Sequence, residues 1–191
     1  MHISDVGLQD YDLYTEAQMA EMAEIYRAVL RSQNDEAGAD ELEDEEGIDL
    51  FGDLDGDFFE NAANLAASRM IAQEWSKKLS AGGVNVTFTV EHDEVDGGLY
   101  FNGGLVEDWN KIQPGEPLFD AQFPEFEEIE VPLEQFADTV LQYINETLWD
   151  IPEGSSPALK QLILAATKKA MGNQPILATS VEMEVEFYEQ A

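Results

Sequence analysis

The chain reads as an α+β protein, a mostly antiparallel sheet of three to five strands with about four helices packed on it. Three features predict this. Apolar residues recur at helical spacing in four segments. They alternate with polar residues in others. The elements also come in groups, α-α-β-β-β-(β)-α-α-β, without the regular alternation of a parallel sheet. No repeat of 20 to 50 residues is present.

The first helix is predicted from Glu16 to Arg31, with Thr15 as N-cap and a stripe of Met19, Met22, Ile25, Tyr26, Val29 and Leu30. From Ser32 to Ser68 there is no basic residue. Residues 32–57 form an acidic segment with two readings. One is a solvated, mobile loop. The other is a partner-facing stretch that docks through the apolar anchors Phe51 and Leu54. A second helix is expected from Asp57 to Leu79, capped by Asp57, with Phe58, Phe59, Ala62, Leu65, Ala66, Ile71, Trp75 and Leu79 buried; Ala81-Gly82-Gly83 ends it.

A strand follows, with Val84, Val86, Phe88 and Val90 on one face and Asn85, Thr87, Thr89 and Glu91 on the other. Asp96-Gly97-Gly98 reads as a turn, and Asn102-Gly103-Gly104 has the chemistry of a hairpin turn. Residues 107–125 hold three of the seven prolines and read as a long loop. Glu127–Leu133 alternates like a strand and passes through Pro132 into a third helix, marked by Leu133, Phe136, Val140, Leu141, Ile144 and Leu148. Ser156-Pro157 opens a fourth helix that reaches about Met171 and stops at Gly172. The last strand places Val181, Met183, Val185 and Phe187 opposite Glu182, Glu184 and Glu186.

The strongest functional signal in the chain is its charge. Forty-one carboxylates stand against nine basic side chains, a formal net charge of −32 on 191 residues. Self-repulsion on that scale opposes compaction, so a cationic partner, a high-salt solvent or bound cations must favour it. With 44% hydrophobic and 10% aromatic residues the chain has enough apolar material for a core, and one domain over residues 1–191 is expected. The absence of cysteine excludes disulfides, thiolate zinc sites and a cysteine nucleophile. Met1-His2-Ile3-Ser4 lacks the basic and apolar regions of a signal peptide, and no apolar run approaches the ~20 residues of a membrane span. A cytoplasmic location is expected, the host cytoplasm if a phage encodes the protein. DNA, RNA and anionic membranes would all repel such a surface.

The charge is uneven. Residues 1–68 carry nineteen acids and two arginines, and residues 91–153 carry seventeen acids and one lysine. Residues 154–180 carry no acid, only Lys160, Lys168 and Lys169. The predicted partner-binding acids are Asp40, Glu41, Glu43, Asp44, Glu45, Glu46, Asp49, Asp53, Asp55 and Asp57 in the acidic segment. Glu128 and Glu130 follow on one strand, and Glu182, Glu184 and Glu186 on the last. Alternate strand residues stand roughly 6.6 Å apart, close to the spacing of successive phosphates in nucleic acid.

No catalytic motif emerges: there is no G-x-S-x-G, P-loop or G-x-G-x-x-G. A non-enzymatic protein without cofactor is therefore expected. Asp53-Leu54-Asp55-Gly56-Asp57 resembles the opening of a calcium loop, which makes Asp53, Asp55 and Asp57 weak metal candidates. Phe58 stands where that loop needs glycine, and Asn64 where it needs a bidentate glutamate. His92 has no second imidazole near it in the chain and reads as a strand-end histidine. The leading expectation is a nucleic-acid mimic that occupies the basic groove of a DNA- or RNA-binding protein and inhibits it, as phage or plasmid anti-restriction and anti-defence proteins do. A haloadapted domain and an acidic virion or assembly component are the alternatives, and homo-oligomerisation is compatible with any of them.

Overall fold

Thr15 begins the first long helix by a reciprocal cap. Its Oγ1 accepts from the Gln18 backbone N–H at 3.2 Å, and its own N–H donates to Gln18 Oε1 at 2.9 Å. Two otherwise orphaned donors are thereby satisfied. The computed structural model describes residues 2–8, 11–41, 50–52, 54–81, 88–92, 99–103 and 128–178. Helix α1 spans Glu16–Ser32 and buries Met22, Ala23, Ile25 and Val29. It ends in a Schellman turn: Asn34 takes φ +61°, Asn34 N–H donates to Arg31 O at 3.1 Å, and Asp35 N–H donates to Leu30 O at 3.0 Å. Asp35 then caps the next helix, its Oδ1 accepting from Gly38 N–H at 3.0 Å. One Asn-Asp pair closes α1 and opens α2, Glu36–Glu41.

The chain divides into two compact units, Met1–Ala63 with Glu130–Leu177, and Asn64–Ile129 with Ala178–Ala191. Helix α3, Gly56–Ala81, begins in the first and continues in the second. Its buried residues include Ala62, Ala63 and the run Leu65–Ser68, so more than one face is covered. That is broader than the single stripe its spacing predicts.

In the first unit the core is helix on helix. Helix α4, Leu133–Thr147, packs on α5, Ser156–Met171, and α1 packs on both α2 and α5. Phe136, Val140, Ile144, Leu159, Leu162 and Ile163 are essentially inaccessible to solvent. Two single-turn 3-10 helices, Ile3–Asp5 and Tyr11–Leu13, lie at the start of the chain. Lys169 Nζ donates to the Asp12 carbonyl and ties the second of them to α5. In the second unit β1, Phe88–His92, pairs antiparallel with β2, Leu99–Gly103, in the register Phe88 to Gly103 and His92 to Leu99.

The expected sheet of three to five strands is not what forms. The described residues are mostly helical, and the described strands make two separate two-stranded sheets, β1–β2 and β3–β4. Strands β3, Ile129–Val131, and β4, Ile176–Ala178, are three residues each. The physical reason lies in the partners of the helices: α1, α4 and α5 bury their stripes against one another, and helix-on-helix packing needs no broad apolar sheet. Asn102-Gly103 is also not a turn, because both residues pair within the β1–β2 ladder, opposite Thr89 and Phe88. The last strand, predicted over Val181–Phe187, lies outside the described residues.

Candidate functional site

The acidic segment is anchored at both ends. At its start Ala39 of α2 is fully buried, with α2 packed on α1. At its end Phe51 and Leu54 are 0% and 2% exposed, and Phe51 stacks on Tyr14 with ring centroids 6.3 Å apart. Tyr14 in turn donates its hydroxyl to the Leu8 carbonyl. The two apolar residues singled out as anchors are core residues of the first unit. Between Glu41 and Leu50 the chain lies outside the described residues, as does Asp53.

The predicted acids separate accordingly. Asp40 is exposed on α2, and Glu41 is the last residue of that helix. Asp55 is exposed and is the N-cap of α3, its Oδ1 accepting from Phe58 N–H at 2.9 Å. Asp57, expected as the cap, is instead an exposed acid in the first turn, where the helix dipole favours it. Glu128 and Glu130 are exposed before and on β3. The neighbour of that strand is β4, so a second carboxylate row from the last strand is not shown there. Glu43, Asp44, Glu45, Glu46, Asp49, Asp53, Glu182, Glu184 and Glu186 lie outside the described residues.

Among the described residues no group of three metal-ligating side chains converges. Asp55 accepts the Phe58 N–H and so has a role as the α3 cap. His92 ends β1 opposite Leu99.

Not one described carboxylate is buried; the buried polar residues are Ser68, Thr139 and Thr167. The basic side chains are partly engaged. Arg27 Nη1 lies 2.6 Å from Glu24 on the same helix. Lys160 of α5 reaches Asp138 at 2.6 Å and Glu134 at 3.2 Å, two acids one turn apart on α4. The hydrogen bond to Asp138, then that to Glu134, raises the Lys160 pKa above the ordinary lysine value. Sequence reading placed Lys160 on a helix face but not against these acids. Their i, i+4 spacing was legible, whereas the α4–α5 pairing that supplies the cation was not.

No protein-family model, curated protein or solved structure matches this chain. Among the described residues no helix is long and apolar enough to cross a membrane.

Proposed function

We propose that this chain is a non-enzymatic binding protein, whose carboxylates occupy the basic groove of a nucleic-acid-binding protein and inhibit it, in the manner of phage or plasmid anti-restriction and anti-defence proteins. The observation that carries this reading is that no described carboxylate is buried, on a chain of net charge −32. Proteins that bind duplexes direct Lys and Arg at dense phosphate charge, and an ordered anionic surface competes for those groups. Asp40 and Asp55, held on a helix and at a helix cap, provide fixed charge at the two ends of the acidic segment. Fixed charge loses less side-chain freedom on binding than a mobile tail does.

The test is capture from host lysate at low salt, followed by a salt gradient and by elution with duplex DNA. The expected captured protein binds nucleic acid, is released by either eluent, and is not captured when the acids from Asp40 to Asp57 become Asn or Gln. Capture that survives high salt, or that survives the substitution in a variant with unchanged melting temperature, overturns the proposal.

The presence of exposed acids on α1, α2, α3 and α4 also favours a second reading, haloadaptation. A melt at low salt separates the two, because a haloadapted domain loses its fold there and a mimic does not. Native mass spectrometry tests the assembly reading, which requires stable oligomers.

A further inference from the structure

The C-terminal end of α5 borders a cleft of about 320 Å³, bounded on its other side by β3, β4 and the start of α4. It lies wholly within the first unit. Its apolar wall includes Val131, Met171 and Ile176, all buried. Its polar wall includes Lys168, Asn173 and Gln174, all exposed. Thr167 also lines it; that residue is fully buried, and its Oγ1 has no hydrogen-bond partner among the described residues. A buried hydroxyl left unpaired inside a helix is a donor that a bound polar group can satisfy.

The geometry points to a small-molecule site for a monocarboxylate with an apolar body. The charge of the ligand follows from which groups are already occupied. Lys160 is held by Asp138 and Glu134, and Lys169 by the Asp12 carbonyl. Lys168, beside the cleft, has no ion-pair partner among the described residues. The backbone itself caps two carbonyls of the last turn, which leaves less of the helix end for a cation to satisfy. Gly172, at φ +63°, donates its N–H to Lys168 O at 2.9 Å, and Gln174 N–H donates to Met171 O at 3.1 Å. Glu130 on the rim is a like charge that penalises a doubly charged anion more than a singly charged one. The buried wall takes the apolar body, and the volume falls at the small end of ligand pockets, which begin at about 300 Å³. The carboxylate pairs with Lys168 and accepts from the Thr167 hydroxyl and the Asn173 and Gln174 amides, all of which line the cleft.

The test titrates the full isotope-labelled chain with octanoate, octanol, octylammonium and inorganic phosphate, following backbone amide shifts. Octanoate is expected to give saturable shifts centred on Val131, Lys168, Met171 and Ile176, and octanol to bind about tenfold more weakly for want of the charge-assisted bond. Lys168→Gln, an exposed change, should reduce octanoate to the level of octanol. Thr167→Val, nearly isosteric, should weaken octanoate several-fold. Lys168→Gln should keep the wild-type melting temperature, and Thr167→Val should keep or raise it, because it removes an unpaired buried hydroxyl. The assignment fails if octylammonium or phosphate binds as tightly as octanoate, or if Lys168→Gln leaves octanoate binding unchanged. It also fails if the shifts spread over the surface without saturating by about 10 mM, a concentration at which binding carries almost no specificity.

Discussion

The α4–α5 pair and the stretch from Asn34 to Asp57 handle negative charge in opposite ways. In the pair, two acids of α4 converge on one lysine of α5, so charge is partly neutralised across the helix interface. In the acidic stretch there is no basic residue at all, and what the structure shows is apolar anchoring: Ala39 at one end, Phe51 and Leu54 at the other. Charge and attachment are thus separate matters. An acidic stretch can be tied to a core by a few apolar residues while its carboxylates stay in water, since burying an unpaired carboxylate is far costlier than burying a phenyl ring.

The largest expected effect tests that anchoring. Phe51→Ala removes a fully buried ring stacked on Tyr14 and should cost about 3–5 kcal/mol of unfolding free energy in a denaturant titration. A cost below about 1 kcal/mol, the usual range for a surface position, would break the comparison by making the acidic stretch a loose loop.

Gly56→Ala should come next. A Cβ there would stand 2.6 Å from the Ser4 carbonyl oxygen, a backbone atom that cannot swing away. The strain should cost about 1–3 kcal/mol, seen as a lowered denaturant midpoint with an unchanged slope. Glycine at the start of α3 is therefore set by the close approach of the first 3-10 turn.

A smaller effect distinguishes capping from charge. Asp55→Ala removes the acceptor for Phe58 N–H and should cost about 1 kcal/mol, whereas Asp55→Asn keeps an oxygen there and should cost a few tenths. Equal losses would mean that Asp55 acts through its charge alone.

The smallest effect belongs to the α4–α5 pair. Lys160 has its folded pKa raised by Asp138 and Glu134. Its contribution is therefore complete below the unfolded lysine pKa of about 10.4 and fades as pH climbs through the higher folded value. Lys160→Met should melt slightly below the parent at pH 8, with the gap narrowing in salt and closing at alkaline pH. A gap that persists in 1 M salt, where screening acts within about 3 Å, would assign Lys160 a packing role instead.

The helices were legible in the sequence because their signals are local. Thr15 with Gln18, the Leu133–Leu148 stripe and the Ser156-to-Gly172 span each carry their own start, period or stop, and α1, α4 and α5 fall within a residue of those bounds. Helix α2 was missed although Asn34-Asp35 marks it, because a six-residue helix is too short to show a period and stands by packing on α1. The sheet was misjudged for the converse reason. Alternation announces a strand but not how many neighbours it pairs with, and Ile129–Val131 found only β4. For the candidate site, the sequence identified Phe51 and Leu54 as anchors, yet it assigned the α3 cap to Asp57 when Asp55 holds it.

The sequence alone determined the net charge, its concentration away from residues 154–180, and the extents of the long helices, since these follow from composition and from contacts within one or two turns. Only the tertiary structure decided that the helices pack on one another in place of a broad sheet. It alone decided that Lys160 meets two acids of α4, and that Lys168 is left at the edge of a cleft. Each depends on which residues distant in the chain become neighbours, and no local periodicity encodes that choice.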